Sequence, residues 1–135
     1  MSASPLVRLF VTSRRREELI DVTGLLHEAV STAGVREGIL VAGTAHTTAG
    51  LTVNENADPD VTTDLLAQLA VLARPERPFR HGEGNSDAHV KATLVGASVT
   101  LPVTEGRLVL GTWQGVYFCE FDGPRRRTVH ARVLG

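Results

Sequence analysis

Cys119 is the only cysteine in the chain, so no intrachain disulfide can form, and a reducing compartment is the simplest inference. Long apolar runs are missing too. The opening stretch "MSASPLVRLFVTSRRR" holds too short an apolar segment for a signal peptide, and nothing further on approaches a membrane span. These absences predict a soluble cytoplasmic protein. Neither sign of charge dominates: 14 basic residues stand against 15 acidic ones, for a net charge of −1. That balance argues against nucleic acid or an anionic membrane as a general partner. Two short basic runs, at residues 14–16 and 125–127, read as solvated turns. No repeat, linker or low-complexity stretch interrupts the chain. No local metal signature such as HExxH occurs either.

What is present suffices for a core. The 135 residues, 42% of them apolar, predict one domain over residues 1–135. A chain of this size buries roughly 68% of its unfolded surface. Residues 6–12 alternate, with Val7, Leu9 and Val11 on one face, which is strand patterning. "EELIDV" reads as a second short strand. From Asp21 the period changes: Val22, Leu25, Leu26, Ala29, Val30 and Ala33 form a helical stripe, with Asp21 as N-cap and Gly34 just past the end. "GILVAGTAH" reads as a strand buried on both faces, and "GLTVNE" as its hairpin partner. A helix follows with Asp58 as N-cap, Pro59 at its first position, and Val61, Leu65, Leu69 and Leu72 as a core stripe; Pro75 and Pro78 end it. "NSDAHVKATLVG" predicts a short helix capped by Asn85 or Ser86. Strands over 98–103, 107–110, 116–121 and 128–134 complete the chain, with "TEG" and "DGPR" as turns. The pattern predicts an α+β fold: a compact single domain with a largely antiparallel sheet and three helices.

Of five histidines, His27 lies off its helix stripe and His130 faces outward from a strand. His46 ends the apolar strand, His81 sits in a glycine-bearing loop, and His89 is one turn into the short helix. A lone histidine beside an apolar face is more often a satisfied core residue than a ligand, and spacing does not show that the three converge. If they did, neutral imidazoles would suit a zinc site with an open fourth position. "EGNSDAH" sets Glu83, Asn85, Ser86 and Asp87 at a helix start, where free N–H groups favour an anion such as phosphate; routine capping is the plainer reading. Thr47 and Thr48 offer hydroxyls to the same kind of ligand. Glu120 shares a strand face with Val116 and Phe118 and so needs a partner, with Arg125 the candidate. Trp113 and Gln114 lie between glycines in a turn where a side chain can face a pocket. Cys119 reads as a buried small hydrophobe.

The stretches "HTTAGLTVNENADPDV", "HGEGNSDAHVKATLVGASVTLPV" and "GRLVLGTWQGVYFCEFDGPRRR" together resemble the YjbQ family, also called UPF0047. The likeness runs from about residue 38 to the C-terminus and in outline covers the domain. His46, Glu55, Asp58, His81, Asn85, Asp87, His89, Trp113, Gln114 and Glu120 all match. The resemblance implies a homotrimer with a metal held by His46, His81 and His89 near the subunit boundary. That metal would be zinc, with magnesium the alternative for a pyrophosphate substrate. It also implies a thiamine-phosphate synthase activity: hydroxymethylpyrimidine pyrophosphate joined to thiazole phosphate, with pyrophosphate released. On that reading Asn85, Ser86, Thr47 and Thr48 receive phosphate, with Trp113 and Gln114 beside the substrate. Glu55, Asp58 or Asp87 would shuttle a proton or orient a histidine. A non-catalytic metal- or ligand-binding trimer and a metal-assisted phosphoester hydrolase are the alternatives.

Overall fold

A computed structural model describes residues 2–135. In chain order the elements are β1 Val7–Thr12, β2 Glu18–Asp21, α1 Thr23–Ala33, β3 Gly38–Gly43, β4 Ala49–Glu55, α2 Pro59–Leu72, α3 Ser86–Val95, β5 Ser98–Thr104, β6 Arg107–Leu108, β7 Gln114–Glu120 and β8 Arg126–Leu134. They form two antiparallel sheets, one of five strands ordered β1-β8-β3-β5-β6 and one of three ordered β2-β7-β4. The fold is α+β, with three helices. Among the described residues no helix is long and apolar enough to cross a membrane.

The core lies between the sheets. Leu40, Val129 and Val133 come from the larger sheet, Leu51, Val116 and Phe118 from the smaller, and Leu26 and Val30 from α1. A second apolar cluster, Tyr117, Cys119 and Phe121 with Leu66, Leu69 and Ala88, packs α2 and α3 on the outer face of the three-stranded sheet. Strand β7 is thus covered on both sides. Its residues 116 and 118 face the larger sheet, and residues 117 and 119 face the helices. Burial pushes the Cys119 thiol up to about 12, which suits packing and not nucleophilic chemistry.

Several local expectations hold in altered form. Helix α1 starts at Thr23, with Val22 in the cap position; Asp21 still serves, accepting the Thr23 N–H at 2.9 Å from one residue further out. Gly34, at φ 67°, closes the helix in the left-handed region, where a side chain would be strained. The turn after β5 places Glu105 (φ 51°) and Gly106 (φ 77°) consecutively at positive φ, as a tight hairpin of that twist requires.

Three expectations fail. Strand β4 is not the hairpin partner of β3. Both hydrogen-bonding edges of β3 are taken, by β5 and β8, so the chain crosses at residues 44–48 and β4 pairs with β7 instead. Nor is β3 buried on both faces: Leu40 and Ala42 are inside, while Val41 is exposed. Helix α2 is capped by Asp58, which accepts the Asp60 N–H at 2.9 Å, but no residue of its stripe is fully buried and Leu72 is 63% exposed. The sheet beneath is only three strands wide; α3 packs on β4, and α2 is left at the β2 edge.

Candidate functional site

The crossing between the sheets builds one wall of the site. Thr44 donates its backbone N–H to Ala97 O (2.9 Å) and its hydroxyl to Thr128 O (3.2 Å), and its Oγ1 accepts the His46 N–H at 3.3 Å. The Thr128 N–H in turn donates to His46 Nε2 at 3.0 Å. Burial, then the positive charge of Arg127, holds the His46 pKa below its ordinary value.

Two residues on, Thr48 is fixed by Arg127, whose Nη2 donates to the Thr48 hydroxyl at 2.9 Å and to its carbonyl at 3.3 Å. Arg127 is buried and ion-paired with the fully buried Glu120; its Nε lies 2.9 Å from Oε1, and Nη2 donates to Oε2. The Ser13 hydroxyl donates to Glu120 Oε1 at 2.6 Å, and the Asp122 N–H to Oε2 at 3.1 Å. Burial raises the Glu120 pKa, but the bonds from Arg127 and Ser13 outweigh it and hold the carboxyl below the usual range. The expected partner, Arg125, is engaged elsewhere: its Nη2 meets Asp122 Oδ2 at 3.2 Å. The tight turn at residues 122–125 keeps Arg125 beside the opening, while strand alternation turns Arg127 inward with Val129 and Ala131.

The other wall is the start of α3. No side chain caps this helix. Asn85 occupies the cap position, yet its Nδ2 donates to Asp122 Oδ2 at 2.9 Å, and its Oδ1 is buried without a partner. The first N–H groups of α3 are therefore not satisfied by a cap. His81 and His89 stand edge to face, ring centroids 5.5 Å apart, with His81 Nε2 3.6 Å from Glu83 Oε1. Together with Thr47, Thr48, Asn85 and Arg125 they line a polar cavity of about 340 Å³. A second cavity of about 450 Å³ adjoins it, lined by His46 and by the Thr47 and His89 that the two share. Ser86 lines a more apolar hollow beside His81 and His89.

The structure therefore brings His46, His81, His89, Thr47, Thr48, Asn85 and Ser86 to one region. It does not bring the remaining candidates there. Asp87 is fully buried in a closed ion cluster, bidentate with Arg16 (2.9 and 3.1 Å) and 2.9 Å from Lys91 Nζ, which also donates to Glu17. Burial raises its pKa; the bonds from Arg16 and Lys91 outweigh that and lower it. With both oxygens committed, Asp87 is anchored as a structural anion and not poised as a proton shuttle. Glu55 and Gln114 pair with one another at the far end of β4 and β7, six residue steps from Ala49 and Glu120. At ~3.3 Å per residue that is roughly 20 Å from the histidine end. Trp113, 63% exposed, adjoins that end, and Asp58 is spent on capping α2. The motif "HTTAGLTVNE" is compact in sequence but drawn out as a strand, so its two ends cannot meet within one chain.

The three histidines do not fit a single metal centre in this arrangement. Among the described residues no three His, Cys, Asp or Glu side chains surround a common point as an ion requires. Nor is His46 Nε2 free, since its lone pair accepts the Thr128 N–H.

Arg127 and Asp122 belong to the site without having been candidates, and Arg125, expected as the partner of Glu120, stands in the cavity wall instead. The signal for Arg127 lies in the alternation of "RTVHARV", which turns residue 127 to the same side as Val129, Ala131 and Val133.

This architecture recurs in known proteins. Residues 7–135 match the family model described as UPF0047 protein YjbQ-like. A UPF0047 protein of Methanocaldococcus jannaschii is 48% identical over 125 residues, covering 93% of this chain and 91% of that one. A crystal structure of a yjbq/upf0047 family protein from Clostridium acetobutylicum, described as uncharacterized, has a TM-score of 0.93 at 45% identity, covering 95% of this chain and 99% of its own. A protein of unknown function from Sulfolobus solfataricus, described as YbjQ-like, reaches a TM-score of 0.95 at 34% identity, over 99% of this chain and 98% of its own. With sequence and architecture agreeing over nearly its full length, the chain belongs to the YjbQ-like UPF0047 family.

Proposed function

We propose that the cleft binds a small phosphorylated metabolite and that the protein is an enzyme acting on it. One observation carries the reading: the uncapped start of α3 stands at a polar cavity that already contains Arg125, His81 and His89. Unmet helix amides favour an anion, and a guanidinium adds charge and directed donors. Asn85 and Ser86 lie where phosphate oxygens would approach those amides, and the Thr47 and Thr48 hydroxyls border the same space. The Asp122 carboxylate is offset by Arg125 and Asn85. His89 borders both cavities, so a proton passed through it reaches either.

Two cavities meeting at Thr47 and His89 favour a reaction between two small molecules. The finer form of the proposal is the thiamine-phosphate synthase activity that the family resemblance implies. There the thiazole nitrogen bonds to the pyrimidine's methylene carbon, and the carbon–oxygen bond to pyrophosphate breaks. The residues here would bind the departing pyrophosphate and exclude water; no step is assigned to a metal. Glu55, Trp113 and Gln114 reach such a site only from a neighbouring copy in the homotrimer.

The test is turnover by the purified chain, with its metal content measured on the same sample. The two precursors are supplied together, and a panel of phosphate esters separately. Product is expected, with a fall of roughly a hundredfold or more in a folded His89→Ala variant. Unchanged turnover in that variant overturns the reading. Phosphate release without synthase product selects hydrolysis. A chelator-sensitive melting temperature with no turnover in either assay selects a non-catalytic binding protein.

A further inference from the structure

We infer that His46 is locked as the Nδ1–H tautomer, that it is not a metal ligand, and that it donates from Nδ1 to an oxygen of the bound ligand. The ligand's nature rests on the phosphate reading above; the tautomer does not.

A count of protons fixes the tautomer. The Thr128 N–H donates to His46 Nε2 at 3.0 Å. A backbone amide carries one hydrogen and cannot accept, so Nε2 must present its lone pair. A neutral imidazole has a single N–H, which then resides on Nδ1. Turning the ring over would set a carbon against the amide and waste a strand donor, so the same bond fixes the ring's orientation.

Three alternatives fail on that count. A metal at Nε2 needs the lone pair already given to Thr128. A metal at Nδ1 needs the proton moved to Nε2, where it would meet the amide hydrogen head-on across 3.0 Å. An imidazolium places a hydrogen at the same point. The charged and titratable groups around the ring, Arg127, Glu120, Arg125 and His130, act through a balance in which burial and Arg127 oppose protonation.

The ring is also held in place. Thr44 donates to the Thr128 carbonyl and receives the His46 amide, so the crossing segment engages both backbone polar groups of Thr128. Swinging the ring free would orphan an amide near the start of β8. Nδ1 has no partner among the described residues. Among the described residues the only enclosed, unpartnered side-chain nitrogen or oxygen is Asn85 Oδ1, so Nδ1 is open to the surface. His46 lines the larger cavity, next to the one holding Arg125 and the α3 start. A neutral donor fixed there suits an oxygen acceptor on which negative charge develops.

The experiment is a long-range hydrogen–nitrogen correlation spectrum of the histidine rings in the full, uniformly nitrogen-15-labelled chain near pH 7. His46 signals are assigned by their absence in His46→Asn. The expected ligand-free spectrum shows Nδ1 protonated and Nε2 bare. Zinc is expected to leave that pattern in place even if it moves His81 and His89. Pyrophosphate is expected to shift the His46 Nδ1–H. A protonated Nε2, an Nδ1 that loses its proton to zinc, or pyrophosphate moving His81 and His89 but not His46 overturns the inference. Pyrophosphate moving none of the three rings sinks the phosphate reading instead, and the ligand-free and zinc spectra then decide the tautomer.

Discussion

At the scale of single residues, Arg127 joins stability to the site: one guanidinium neutralises Glu120 and holds the Thr48 hydroxyl. Arg127→Met strands a buried carboxylate, and the expected loss is about 3–5 kcal/mol, read by urea unfolding at pH 7. Acidity should erase that difference. Glu120 has a folded pKa below its unfolded value, so its contribution is complete above about pH 4.3 and fades as pH falls through the folded value. Arg127→Met and the parent should therefore converge in stability as pH falls through the folded Glu120 value; a constant gap would mean that the ion pair is not the cause. The need for such a pair was legible, because a carboxylate between Phe118-side apolar positions demands a cation. Choosing Arg127 over Arg125 turned on where β8 begins: alternation counted from Arg126 sends residue 127 inward, while residue 125 stays in the preceding turn. His46 is a harder case: its defining partner, Thr128, lies 82 positions away.

Among elements, α3 has a divided character. Asp87, Ala88 and Lys91 point inward, while His89 and Leu94 lie on the side toward the cavities and solvent. Its inner face is held by ions more than by apolar contact. Asp87→Ala leaves two cations, the buried Lys91 and Arg16, sharing the single carboxylate of Glu17. Amide exchange in α3 should then quicken by roughly tenfold or more, a local opening eased by about 1.4 kcal/mol, while β3 and β8 keep their protection. Uniform quickening across the chain would show instead that the cluster governs global stability. Existence and type of the elements followed from periodicity alone. Their partnerships did not. The pattern for β4 fits a hairpin with β3 equally well until β5 and β8 occupy both edges. The α2 stripe promised full burial, but the narrow sheet below covers it only in part, through Leu69 and its neighbour Leu66.

The whole molecule leaves sizeable apolar side chains in water: Val71 at 55% and Leu72 at 63% exposure on α2, and Leu94 at 58% on α3. The homotrimer implied by the family resemblance would give them cover. Sedimentation equilibrium should return the mass of three chains, and Leu72→Glu with Leu94→Glu should return one. A parent that sediments as a single chain at high concentration removes the idea.

The crossing segment at residues 44–48 leaves the larger sheet at Gly43, grips β8 through Thr128, and delivers Thr48 to the smaller sheet beside Arg127. Whatever lodges against it works as a tie-bar between the two halves of the sandwich. Pulling the layers apart must eject the guest, so occupancy is felt in the cooperative melting of the entire body and not only in a stiffened loop. At a hundredfold excess over its Kd, such a guest would add about 2.7 kcal/mol to the unfolding free energy.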